Sequence, residues 1–237
     1  LAGMIGYAEL AKLKTSDTKV SAYLDQILNA SERAKNLVRQ ILTFSRNTEQ
    51  EKKPVMLIPI IKEVTAFIRA SLPSNIEIHH SLNTDTDIIF ADATQIHQVL
   101  MNLCTNAGHA MKTTGGALDI TLGEASIDEE STLYPSLNEG NYLHITIRDT
   151  GHGIERKLIE RIFEPYFTTR KKGEGTGLGL SVADGIIRSH GGVITVYSEV
   201  GKGSVFHIYL PRLKGYIKKR EETGIKPTAR GTETILF

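Results

Sequence analysis

A single cysteine, Cys104, among 237 residues leaves no partner for a disulfide within the chain. That fits a reducing, cytoplasmic setting, and no signal peptide is visible. No stretch approaches the roughly 20 apolar residues needed to span a bilayer. Charge of one sign is lacking too: 28 basic against 27 acidic residues give a net charge of +1 and no general attraction to nucleic acid. His79, His80, His97, His152 and His190 show no metal-ligand spacing, and no internal repeat is present. What remains, 40% hydrophobic and 23% charged, is ordinary globular material with room for two modest domains.

The ends read as cut. LAGMIGYAELAKL opens as a helix already under way, and GTETILF closes as the start of a buried strand, so the chain is expected to be an excerpt. Helix one runs to about Leu13, and Thr15 to Thr18 form a polar turn. In the long second helix, Val20, Leu24, Ile27, Ser31, Ala34, Val38, Ile41 and Ser45 alternate spacings of four and three, which is a bundle seam. Two helices cannot bury that seam between themselves, so a second copy completing a four-helix bundle is the economical solution. A hairpin packed on its own domain is the alternative. After Arg46 the text turns polar and Pro54 forbids continuation, which sets a boundary near residue 50.

Beyond it, the spacing predicts a helix over Pro59–Ser71, strands near Ile76–His80 and Ile88–Ala91, and a helix over Asp92–Met111. A Gly115-Gly116 turn, a strand at Ala117–Leu122 and a surface loop from Glu124 to Asn141 follow. The remainder reads as a strand at Tyr142–Arg148, helical Glu155–Phe163, a helix over Leu180–His190, and strands at Val193–Tyr197 and Ser204–Leu210. The expected fold is an α/β (α+β) sandwich, one mixed sheet covered by helices on one face, preceded by an antiparallel helical hairpin.

Three segments carry chemistry. Ile96, Val99, Leu100, Leu103, Cys104, Ala107 and Met111 make one helix face for burial, and Cys104 there reads as a small buried hydrophobe. The opposite face carries Asn102 and Asn106, whose amides project from neighbouring turns toward a common space. Asparagine is a mediocre helix former. Either this is a solvated polar face, or the amide oxygens serve a hard cation that carries phosphates. Asp149 begins DTGHGI at a strand end, and Gly151 and Gly153 would let a flat ring approach the backbone. A carboxylate there accepts from the exocyclic amine of adenine and meets only an acceptor on guanine; an ordinary turn is the plain alternative. Thr168 to Lys172 then runs into Gly173, Gly175, Gly177 and Gly179 just before a helix, an arrangement suited to an anion, with Lys171 and Lys172 placed to steer phosphates. It is neither a Walker loop nor a dinucleotide fingerprint.

In this order, NLCTNAGHAM, DTGHGI, IFEPYFTT, GEGTGLGLS and GKGSVFHIYLP resemble the N box, first glycine box, F box, second glycine box and closing box of sensor histidine kinases. Their ATP-binding domain belongs to the group that also holds gyrase, MutL-type and heat-shock chaperone ATPases. The resemblance implies ATP and Mg2+ as cofactors. It implies Asn106 as the metal ligand, Asn102 as its phosphate-side neighbour, and Asp149, Gly151 and Gly153 as the adenine-reading turn. Thr176, Gly177, Leu178, Gly179 and Leu180 fall in the phosphate-covering lid, and His109 stands where many such kinases carry a basic residue.

ATPases of the group place a water-activating glutamate one turn before the metal asparagine; here Asn102 stands there, and an amide is no general base. The expected reaction is therefore γ-phosphoryl transfer to a histidine, in the manner of a two-component kinase. In relatives that read like LAGMIGYAEL that histidine lies just upstream, so the excerpt is expected to bind Mg-ATP without autophosphorylating. The implied division is a truncated dimerisation and phosphotransfer hairpin (1–50), an ATP-binding domain (51–213), and a linker with the first strand of a receiver domain (214–237). Expected partners are a second copy through helix 15–48 and a response regulator or the chain's own receiver domain, without nucleic acid or membrane contact within the excerpt; any membrane anchor of the parent lies outside it. An ATP hydrolase and a non-catalytic nucleotide-sensing module are the competing readings.

Overall fold

The computed structural model describes residues 2–15, 17–28, 31, 51–128, 137–170 and 175–213. Helix α1 (Ala2–Lys14) and a helix over 18–28 (α2) are tied by the Lys12–Asp25 ion pair at 2.5 Å. Asp17 starts α2 by accepting from the amides of Lys19 and Val20, which fills two of the donors a helix start leaves open. Met4, Tyr7, Leu13, Tyr23 and Ile27 are exposed. The expected seam beyond residue 31 lies outside the described residues, as do Lys171, Lys172 and residues 214–237.

The larger unit runs β1 (Lys53–Met56), α3 (Leu57–Ser71), β2 (Ile76–Leu82), β3 (Ile88–Ala91), α4 (Ala93–Ala110), β4 (Gly116–Ile127), β5 (Gly140–Asp149), α5 (Gly179–Ser189), β6 (Val193–Glu199) and β7 (Gly203–Pro211). Its five-stranded sheet has the order β2-β4-β5-β7-β6, parallel between β2 and β4 and antiparallel elsewhere. Helices α3 and α5 pack on either side of α4, which lies on the sheet. The pleat explains the division of faces: Leu143, Ile145 and Ile147 point into the core while His144, Thr146 and Arg148 point away. Burying this one face under three amphipathic helices is the mixed, one-side-covered sandwich that the pattern predicts.

The differences lie where the polar text misleads. The approach to the domain is not all linker, because Lys53–Met56 pairs with Ile88–Ala91 as a separate two-stranded ribbon. Pro54 is tolerated because β1 is an edge, where a missing N–H breaks no internal ladder. Lys52 donates to the Ser189 carbonyl at 2.6 Å, a cation at the C-terminal end of α5. The loop expected from Glu124 begins later, since Glu124 to Ile127 stay in register with Leu143 to Gly140. Arg212 pairs with Glu124 and holds the strand end. The helix expected over Glu155–Phe163 is a single 3-10 turn at Arg156–Leu158 followed by further turns. Only Ile162 is buried there, too little to offset helix nucleation.

On the outer face of the sheet His144 stacks on Tyr209 with ring centroids 4.4 Å apart, and its Nε2 lies 3.0 Å from Nδ1 of His207. Burial holds both imidazoles below their ordinary range, and mutual repulsion lowers His144 further. His190, at the end of α5, is lowered by burial and then by the Lys52 ammonium. Its Nε2 accepts the Asp92 amide at 3.1 Å, which requires that nitrogen to be unprotonated. The unfolded chain takes up these protons as pH falls through about 6.5 while the folded chain resists. Their stabilisation is thus complete above that pH and is lost as pH drops toward the lowered values. Urea midpoints at pH 7.5 and 5.5 are expected to differ less in His144→Gln/His207→Gln than in the wild type.

Candidate functional site

Helix α4 organises the site. Asp92 caps it, accepting from the amides of Thr94 and Gln95, and Ile96, Val99, Leu100, Leu103, Cys104 and Ala107 are buried beneath it. Cys104 is fully enclosed, and burial pushes its thiol up to about 12, so it is an inert filler. With that face locked, positions 102, 106 and 110 line up on successive turns of the other face. Between them the three hold two loops.

Asn102 Nδ2 donates to the Gly179 carbonyl at 3.0 Å, fixing the start of α5. Asn106 Oδ1 accepts from Nη2 of Arg170 at 2.7 Å. The two asparagines therefore grip the two ends of the glycine-rich segment. Ala110 receives the aspartate turn: its carbonyl accepts the His152 amide at 3.3 Å, and a Cβ on Gly151 would lie 2.6 Å from its methyl group. His109, in the last turn of α4, is exposed.

Asp149 is buried at the end of β5, its Oδ1 accepting the Gly151 amide at 2.8 Å. Burial pushes its carboxyl up from the ordinary carboxylate value, opposed by the Gly151 and Ser204 amides and by His152. The space around the turn's glycines is filled by the protein itself. Gly153 has φ +71°, and a Cβ there would sit 2.1 Å from the Glu199 carbonyl oxygen. Ser198 ties the turn to the β6–β7 hairpin, accepting from Ile154 and donating to the Gly203 carbonyl.

Gly177 has φ +67° and stands against the Tyr166 backbone, where a Cβ would lie 2.4 Å from the carbonyl carbon. Tyr166 itself has φ 66°, the one positive value outside glycine among the described residues, a strained geometry for an aromatic residue. Arg161 sits 4.6 Å over the Phe167 ring and steadies this segment. Thr176 is exposed and its hydroxyl accepts the Leu178 amide, whereas Leu180 packs on the core and leaves only its backbone facing the loop. Leu178 makes no side-chain cap to the start of α5, and an uncapped helix start leaves amides of the kind that suit an anion.

Arg170 is the residue that sequence reasoning passed over in favour of the neighbouring lysines. Its planar fork seeks a fixed oxygen, and the i, i+4 asparagines supply one.

Two family profiles match the chain. That of the histidine kinase-, DNA gyrase B- and HSP90-like ATPases covers residues 91–214, and that of the His Kinase A (phospho-acceptor) domain covers residues 1–50. The sensor kinase CckA of Brucella abortus is 37% identical over 204 residues, 86% of this chain and 22% of that protein. The structure of full-length ShkA in complex with AMPPNP aligns with a TM-score of 0.67 at 24% identity, covering 89% of this chain and 42% of that one. Histidine kinase ThkA in complex with the response regulator protein TrrA aligns with a TM-score of 0.61 at 28% identity, covering 88% and 57%. The chain belongs to the histidine kinase-, gyrase B- and HSP90-like ATPase family and forms a catalytic region of the sensor histidine kinase kind. It spans 22% to 32% of the length of the first curated relatives that it matches.

Two glycines separate packing from local freedom. Gly153→Ala is expected to cost about 1–3 kcal/mol through its left-handed backbone and the Glu199 carbonyl. Gly185→Ala, open on the surface of α5, is expected to gain about 0.5–1 kcal/mol. Urea denaturation measures both.

Proposed function

We propose that residues 51–213 bind Mg-ATP and hold it for transfer of the γ-phosphoryl group to a histidine of a phospho-acceptor helix. The observation that carries this reading is the stripe of α4, where two amides and one backbone carbonyl meet the glycine segment and the aspartate turn. Asp149 would read adenine: an acceptor anchored at a strand end favours an amine donor and disfavours a guanine carbonyl. The uncapped start of α5 and the backbone of Thr176 to Gly179 suit phosphates, with His109, Lys171 and Lys172 as basic neighbours.

The donor set fits a magnesium ion. Asn106 presents a half-buried amide oxygen that already accepts from a cation, and a single protein oxygen is enough where phosphates and water supply the rest. When bound, the ion neutralises phosphate charge and aligns the transferred group. Asn102 anchors the lid and cannot deprotonate water, which disfavours hydrolysis. Catalysis is then positioning and charge neutralisation, with the acceptor brought in line.

All eight histidines lie at position 79 or beyond, so residues 1–50 contain none. We place the acceptor on the helix that leads into α1, residues 214–237 as the approach to a receiver domain, and the assembly in the cytoplasm. No described helix is long and apolar enough to cross a membrane. The exposed Tyr7, Leu13, Tyr23 and Ile27 support a dimer through the hairpin, and ThkA's complex with a response regulator supports a receiver as the downstream partner.

Calorimetric titration with a slowly hydrolysed ATP analogue and magnesium tests the reading. Binding is expected for ATP and not for the GTP counterpart, and Asp149→Asn is expected to weaken it by at least tenfold, about 1.4 kcal/mol. Equal binding of both nucleotides would contradict the adenine assignment.

A further inference from the structure

Helices α4 and α5 are joined by a hydrogen bond at each end. Asn102 Nδ2 donates to the carbonyl of Gly179, the first residue of α5, and the Asp92 amide donates to His190 Nε2 at 3.1 Å just past its last. The helices therefore run antiparallel, and the spans between the two bonds, Asp92 to Asn102 and Gly179 to His190, are about 15 Å and about 16.5 Å at the helical rise. Within α5 only Ala183 and Ile187 are buried. Apolar contact is non-directional, so the two polar bonds set how far α5 is slid along α4. The distal bond also replaces a local one. Asp92 and Gln95 have the spacing of a capping box, in which the Gln95 side-chain oxygen accepts the Asp92 amide. Half of that box forms, since Asp92 accepts from Gln95, but the Asp92 amide goes to His190 and Gln95 Oε1 is buried without a partner. The tautomer of His190 follows from its neighbours: Nδ1 lies 2.8 Å from the Ile186 carbonyl, which can only accept, so Nδ1 carries the proton and Nε2 is the acceptor.

We propose that His190 is a positioning residue of the ATP site: by holding the Asp92 amide it sets the register of α5 on α4, and so the alignment of the first amides of α5 with the asparagine stripe. This rests on the reading that those amides take nucleotide phosphates. His190 touches no part of the nucleotide site and acts through the length of α5. Without the distal bond, α5 shifts on its apolar contacts and the Asn102 bond at the other end is disturbed. The share of molecules with the phosphate-binding amides in place then falls, and the apparent affinity falls with it.

Two substitutions in the full chain divide the bonds of His190. Glutamine places its amide oxygen as many bonds from the backbone as Nε2 and keeps the reach to Asp92, whereas asparagine ends where Nδ1 does and keeps only the bond to Ile186. The first measurement is the NMR signal of the Asn102 side-chain amide without nucleotide. It is expected to move in His190→Asn and to stay in place in His190→Gln. The second is calorimetric titration with a slowly hydrolysed ATP analogue and magnesium, in which His190→Asn is expected to bind about threefold to tenfold more weakly and His190→Gln within about twofold of the wild type. The reverse order, an intact His190→Asn and an impaired His190→Gln, would make His190 a local cap of α5 and overturn the proposal, as would an unmoved Asn102 signal in folded His190→Asn. His190→Gln decides by itself as well: a displaced Asn102 signal or weakened binding in that variant overturns the proposal even where His190→Asn does not fold. A folded wild type that binds no analogue overturns the ATP reading, while the Asn102 signal still decides whether His190 sets the register.

Discussion

Everything in the ATP-binding unit depends on the rotational setting of α4. Its lower face is fixed by side chains that are almost completely enclosed, among them Ile96, Leu100, Leu103 and Cys104, so the helix cannot turn without opening the core. That burial aims Asn102, Asn106 and Ala110 at solvent-side loops with the regularity of 3.6 residues per turn. Apolar packing thus fixes polar geometry. A site whose parts come from residues 102 to 179 is held together by one stripe, four residues to the step.

The same logic explains how glycines serve the site. Gly151, Gly153 and Gly177 each bring a loop backbone within contact of another backbone, respectively Ala110, Glu199 and Tyr166. A side chain at any of them would push a loop away from the helix or hairpin that positions it. The glycine-rich text is therefore read twice, once as freedom near a ligand and once as close docking of loop on scaffold. The second use lets so open a surface keep a defined shape.

Much of this was legible beforehand. The span of α4 follows from its strict apolar period, and β5 and β7 from alternation ending at Asp149 and Leu210. Asn102, Asn106 and Asp149 stand out because their residue types fit poorly with mere propensity. What was hidden depends on partners distant in sequence. Lys53–Met56 is a strand only because Ile88–Ala91 lies beside it, and Glu124–Ile127 remain paired only because β5 reaches back to Gly140. Glu155–Phe163 has helix-forming residues but one buried anchor. Arg170 acquires meaning only when folding delivers it to a helix 64 residues earlier.

The central claim is that the polar stripe of α4 is where the cation that carries the phosphates is bound. Crystals grown with manganese and a slowly hydrolysed ATP analogue test it most directly, because manganese replaces magnesium and scatters anomalously. The account predicts an anomalous peak about 2.1–2.2 Å from Asn106 Oδ1. A bound nucleotide whose metal lies elsewhere would contradict it.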